Sequence, residues 1–153
     1  MKFLKEVYLS NWYGFVNEYL AFDKYGSFIT GENESGKSTI LDAIKYAFMG
    51  DTQFNKGAEA KGAERRTLAS YTRCLYNPSE KLYHRKEDDV FSHIFLCFED
   101  DGISTLGSPV ITKSEPVTIG CIIHTNKNNN TDTDWYKIDT DLRNIALDRK
   151  SVV

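Results

Sequence analysis

The chain opens on alternation: Phe3, Leu4, Val7 and Leu9 stand among charged or polar neighbours over residues 2–9, the pattern of a strand with one buried face. Asn11-Trp12-Tyr13-Gly14-Phe15 reads as an aromatic turn and residues 17–22 as a returning strand. Asp23-Lys24-Tyr25-Gly26 then turns the chain into the β-type residues Phe28-Ile29-Thr30. Here the period changes. Ile40, Leu41, Ala43, Ile44, Ala47 and Phe48 recur at helical spacing, with Gly50 placed to end the helix. Periodicity fades over about 51–66, where small and charged residues predict a mobile basic loop, and a short helix is expected within 65–75. Val90–Glu99 reads as a buried strand closed by Asp100-Asp101-Gly102, and Pro116–His124 as another. The polar run of about 126–134 predicts a loop, Trp135–Ile138 its returning strand, and Leu142, Ile145 and Ala146 a short amphipathic segment. The whole is an α/β pattern in one domain spanning 1–153, with an antiparallel opening.

Between strand and helix lies Gly31-Glu32-Asn33-Glu34-Ser35-Gly36-Lys37-Ser38-Thr39. Gly31, Gly36, Lys37 and Ser38 complete the pattern G-x-x-x-x-G-K-[ST], a phosphate loop. Each required residue has its own task. The glycines let backbone approach phosphate where a Cβ would obstruct. Successive N–H groups make an anion-binding concavity, and the helix that follows adds the positive end of its dipole. Lys37 is expected to neutralise β/γ-phosphate oxygens of ATP, and the Ser38 hydroxyl to join the shell of Mg²⁺. Gly31, Glu32, Asn33, Glu34, Ser35, Gly36, Lys37, Ser38 and Thr39 are therefore the predicted nucleotide site.

Composition narrows the class. A hydrophobic share of 41% with 13% aromatics in 153 residues suffices for a globular core. No apolar run is long enough for a bilayer and no signal-peptide core follows Met1, so no membrane is expected and the address is cytoplasmic. Cys74, Cys97 and Cys121 lack metal-ligand spacing and read as reduced, packed thiols. His84, His93 and His124 are scattered, with no metal or catalytic role indicated. A net charge of −3 confines any DNA contact to a local patch. Lys61, Arg65, Arg66 and Arg73 are the candidates for DNA or phosphate contact, within a basic excess that also holds Lys81, Arg85 and Lys86. Trp12, Tyr13 or Tyr25 could stack on adenine, core packing being the ordinary role of each.

Residues 1–50, with Asn11-Trp12-Tyr13-Gly14-Phe15, Phe22 and the run Gly31 to Ile44, resemble the amino-terminal part of an ABC-type ATPase head. The likeness is to the SMC-like group, which includes SbcC-type repair proteins, MukB-like condensins and JetC of Wadjet plasmid-defence systems. Arg66-Thr67-Leu68-Ala69-Ser70-Tyr71-Thr72-Arg73 is most similar to the MukB/JetC side. The resemblance implies a P-loop NTPase fold: an amino-terminal head lobe with a mixed sheet, antiparallel strands lying around the P-loop helix.

It further implies a longer protein, in which a carboxy-terminal lobe returns the Walker B acid and the signature motif after intervening coiled coils. Two heads would then dimerise around ATP, with DNA and kleisin-type subunits as partners. Neither later motif is found after residue 50, so no catalytic residue is assigned. Phe98-Glu99-Asp100-Asp101 resembles a Walker B ending but is read as a surface turn. Glu34 stands where the group usually has glycine, and a carboxylate there would repel the triphosphate unless it points away or meets a cation. Two other readings are a stand-alone nucleotide-binding module acting on a partner ATPase and a small P-loop kinase; the kinase lacks a recognisable lid or acceptor site.

Overall fold

The computed structural model describes residues 1–30, 36–54, 66–102 and 115–145. Alternation at the amino terminus becomes β1 (Lys2–Trp12), which turns through Tyr13-Gly14 into β2 (Phe15–Ala21). Trp12 faces Phe15 across this hairpin. Helix α1 (Lys37–Met49) follows, then the five-residue α2 (Leu68–Thr72), the short strands β3 (Leu75–Asn77) and β4 (Leu82–Tyr83), and the long β5 (Val90–Asp100), β6 (Val117–Thr125) and β7 (Thr131–Ile138). A 3₁₀ turn at Leu142–Asn144 ends the described chain.

The main sheet has the order β2-β1-β5-β6-β7, and β3 pairs with β4 apart from it. Every ladder among the described residues is antiparallel. Alternation sorts the two faces. Val7, Leu9, Ile94, Leu96, Cys121 and Ile123 point to one side, where Ala43, Tyr46 and Ala47 of α1 pack on them. Small residues at 43 and 47 let the helix lie close to the strands. Tyr8, Phe95 and Cys97 point to the other side, covered by Leu142. Gly120 on β6 is dictated by this second face. A Cβ there would stand 2.1 Å from the Ile94 carbonyl oxygen and 2.6 Å from Phe95 Cδ1, so only glycine fits beneath the Phe95 ring.

Several expectations change. β7 begins at Thr131, and the turn before it spans only Asn126–Asn130, closed by the Asn126 carboxamide accepting from the Asn128 and Asn130 N–H groups. The segment of about 51–66 is not uniformly a solvated loop: Phe54 is 1% exposed and belongs to the core, while residues 55–65 lie outside the described chain. On α1 the buried face is Thr39, Asp42, Ala43, Tyr46 and Ala47, whereas Leu41 and Phe48, predicted as part of the apolar stripe, are exposed. Phe28-Ile29-Thr30 forms no strand, and Phe28 is 97% exposed. These β-type residues find no ladder partner among the described ones.

Candidate functional site

Helix α1 starts where the motif requires. Gly36, at its amino-terminal boundary, has φ of 96°, the left-handed region in which a side chain is strained. Space is not the reason: a Cβ would approach the Phe15 ring no closer than 3.5 Å. Lys37, Ser38 and Thr39 form the first turn, half-buried, exposed and buried in that order. That turn carries no acidic residue and, among the described residues, no side-chain cap. A helix start of this kind turns its first N–H groups outward, where they can bind anions. Residues 31–35 lie outside the described chain, so the site is described at Gly36, Lys37, Ser38 and Thr39. These residues fit a triphosphate and its magnesium: an uncapped helix start, a lysine and an exposed hydroxyl on one turn.

The turn is held by an aromatic block. Trp12 is fully buried, and its Nε1–H donates to the Thr39 carbonyl at 2.9 Å. Its ring stacks on Tyr71 at 4.6 Å and 6°, with Phe54 edge-on to both. The Tyr71 hydroxyl donates at 2.5 Å to Asp42 Oδ2, one turn beyond Ser38 on α1. Burial, then the bond to Asp42, pushes the Tyr71 phenol above its ordinary value. α2 is fixed in turn by a capping box between Thr67 and Ser70. Trp12 is thereby removed from the candidates for adenine stacking; it is core. Tyr13 packs edge-on to Tyr71 at 6.0 Å. Tyr25 is 87% exposed. The Asp42–Tyr71 link is not legible in the sequence, because nothing local pairs residues 29 positions apart.

The basic candidates divide. Lys61 and Arg65 lie outside the described residues. Arg66 is half-buried, donating to the Tyr71 hydroxyl at 3.1 Å with its guanidinium over the Tyr13 and Tyr71 rings. Arg73 is corrected from a surface contact to a buried clamp: it is 4% exposed. Its Nη1 donates to the Arg85 and Glu87 carbonyls and its Nη2 to those of Asp88 and Asn126, at 2.7–3.1 Å. Arg85 likewise serves the fold, donating to Asn11 Oδ1 and to the Thr72 and Phe15 carbonyls; burial pulls it below its ordinary value. Burial follows from loop carbonyls that need donors, a demand set by tertiary structure.

The acidic end of β5 is far from Gly36, where α1 begins. Asp100 pairs with Lys2, ten residues from Trp12, and a strand of that length runs about 30 Å. Gly36 adjoins the opposite end, beside Phe15. Asp100 and Asp101 instead receive the Met1 amino group at 3.0 and 2.8 Å, which fits a surface turn and no Walker B role. Among the histidines, His84 stacks on Tyr76, His124 meets Asp89 at 2.7 Å, and His93 is buried with neither ring nitrogen bonded. The three cysteines are free and buried; burial pushes the Cys121 thiol up to about 12. Among the described residues no group of three or more His, Cys, Asp or Glu could hold a metal, and no helix is long and apolar enough to cross a membrane.

Residues 4–61 match the family described as the P-loop containing region of AAA domains. No curated protein matches the chain. Among solved structures, one described under "Structural biochemistry of ATP-driven dimerization and DNA stimulated activation of SMC ATPases" aligns over 91% of this chain and 71% of that one, at 16% identity and a TM-score of 0.47. The family match and the helix start at Gly36–Thr39 agree on the same residues. Over residues 4–61 the chain is similar to a P-loop region of P-loop NTPase fold, carried beside an antiparallel sheet.

Proposed function

We propose that this chain is the ATP-binding amino-terminal lobe of an SMC-like, DNA-acting ATPase of the cytoplasm, in the line of the MukB, JetC or SbcC proteins. One observation carries the split-head reading. Phe28-Ile29-Thr30, which leads into the phosphate loop, is β-type in sequence yet unpaired among the described residues. Phe28, and Leu41, Phe48 and Met49 of α1, are all more than half exposed. A strand sequence without a sheet and a helix with an apolar outer face suit a surface built to receive a second lobe. A small kinase would be expected to complete its own sheet around the loop.

In this reading Gly31 to Thr39 bind the phosphates, Lys37 balances charge on the β/γ oxygens, and Ser38 holds Mg²⁺, whose bound charge helps neutralise the triphosphate. Trp12 keeps the first turn of α1 in place through the Thr39 carbonyl. Water activation falls to an acid of the carboxy-terminal lobe, and the signature motif to the second head of a homodimer. DNA and kleisin-type subunits belong to the assembled protein, with Lys61, Arg65 and Arg66 the remaining DNA-contact candidates. Phosphate release assayed at increasing concentrations of this chain is the test. ATP bound without turnover is expected. Turnover proportional to concentration and lost in Lys37→Ala would mean a complete active site and would end the split-head reading.

A further inference from the structure

At the end of the sheet that adjoins Gly36, the loops after α2, before β5 and between β6 and β7 enclose a concavity of about 280 Å³. Arg73 and Arg85 line it from below, and Tyr83, Lys86, Glu87, Asp88, Lys127 and Asn129 complete the wall. Four cations stand against two carboxylates. The two arginines make their hydrogen bonds to carbonyl and carboxamide oxygens, none to a carboxylate among the described residues, and Glu87 offsets only part of the Arg85 charge from nearby. Arg73 Nε is buried with no acceptor at all. Carbonyl dipoles satisfy N–H groups but leave a net charge, and buried charge without a counter-charge is costly. Glu87 and Asp88 are exposed, and each turns its main-chain carbonyl toward Arg73. Lys86 and Lys127 are exposed at the rim, free to close on a ligand.

We infer that this pocket binds a phosphate group, with Lys86, Lys127 and the side chains of Tyr83 and Asn129 touching it and Arg73 and Arg85 supplying fixed positive potential behind. Asn129 Nδ2 lies 3.4 Å from the Tyr83 hydroxyl, so two polar groups already converge at the mouth. A compact, doubly charged oxyanion suits a small concavity with four cations better than a monocarboxylate does. The phosphate could be free or a link in a nucleic-acid backbone, and the two are separable by experiment. The site is distinct from the phosphate loop and stands whether or not that loop binds ATP.

The test uses the full chain carrying Lys37→Ala, so that the phosphate loop contributes nothing, with and without Lys86→Ala/Lys127→Ala. Amide resonances of residues 83–88 and 126–129 are followed by NMR during titration with inorganic phosphate and, separately, with a short DNA duplex at several salt concentrations. Saturable shifts with phosphate, weakened at least about fivefold by the double substitution, support a free-phosphate site. Response to DNA alone, with the slope of log affinity against log salt reduced by about 2 in the double variant, supports a backbone-phosphate site. No response to either probe, or affinities unchanged by the double substitution, overturns the inference. Both lysines are exposed, so an unchanged unfolding midpoint is expected of the variant and confirms its fold.

Discussion

Replacing Arg73 with methionine keeps an unbranched stem and removes its guanidinium. In the native protein that group satisfies four carbonyls from the segment before β5 and the β6–β7 turn. Hydrogen bonds to a charged group contribute about 1.5–3 kcal/mol each, so a plain sum would reach about 6–12 kcal/mol. Two effects reduce it. Residues 85–88 and 126–130 are mostly half-buried or exposed, so water replaces part of what is lost, and removing a buried cation relieves its own desolvation. The expected net destabilisation is about 3 kcal/mol. Arg73→Lys, with three donors on one nitrogen and no fork, should fall between wild type and methionine. Urea unfolding followed by tryptophan fluorescence measures this as a lower midpoint at unchanged slope. A methionine variant within about 0.5 kcal/mol of wild type, the usual range for surface substitutions, would refute the clamp and return Arg73 to the surface-contact role its position in a basic run suggests.

Gly120→Ala should destabilise by about 3 kcal/mol or more, since the new methyl meets main-chain atoms of Ile94 and Phe95 that cannot rotate away; thermal unfolding within a degree or two of wild type would contradict the close approach. His93 is held near about 4 by burial, below the roughly 6.5 of an unfolded histidine. The unfolded chain therefore takes up its proton first as pH falls, and stability is full above about 6.5 and declines toward 4, by about 3 kcal/mol in all. His93→Phe should remove that part of the acid dependence and lose nothing at pH 7, because both ring nitrogens are already without partners; parallel pH profiles for the two proteins would sink the assignment.

Where a contact is local, residue order carries it. The β1–β2 hairpin, α1 with its Gly50 terminus, and the cores of β5 and β6 are legible because alternation or helical spacing repeats over several residues. Lys37, Ser38 and Thr39 fall on the first turn of α1 for the same reason. β7 is an edge strand with mostly exposed residues, so its first half offers no apolar alternation and reads as loop. The buried face of α1 uses Asp42 and Tyr46 beside Thr39, and the polar side chains of Asp42 and Tyr46 are made acceptable by partners on α2 and β7 that lie far away in sequence. The fates of Trp12, Phe54, Arg73 and Arg85 are likewise decided by long-range packing. An isolated aromatic suits core or base equally, and an arginine suits a phosphate or a carbonyl. Phe28 errs in the other direction: its neighbours have β propensity, but propensity forms no ladder without a partner strand.

The most direct measurement is titration calorimetry of ATP with Mg²⁺ into the wild-type chain and into Lys37→Ala side by side. Saturable one-to-one binding to the wild type, and none detectable in the variant, is the expected result. Equal affinities for the two proteins would contradict the assignment of Gly31–Thr39 as the nucleotide site.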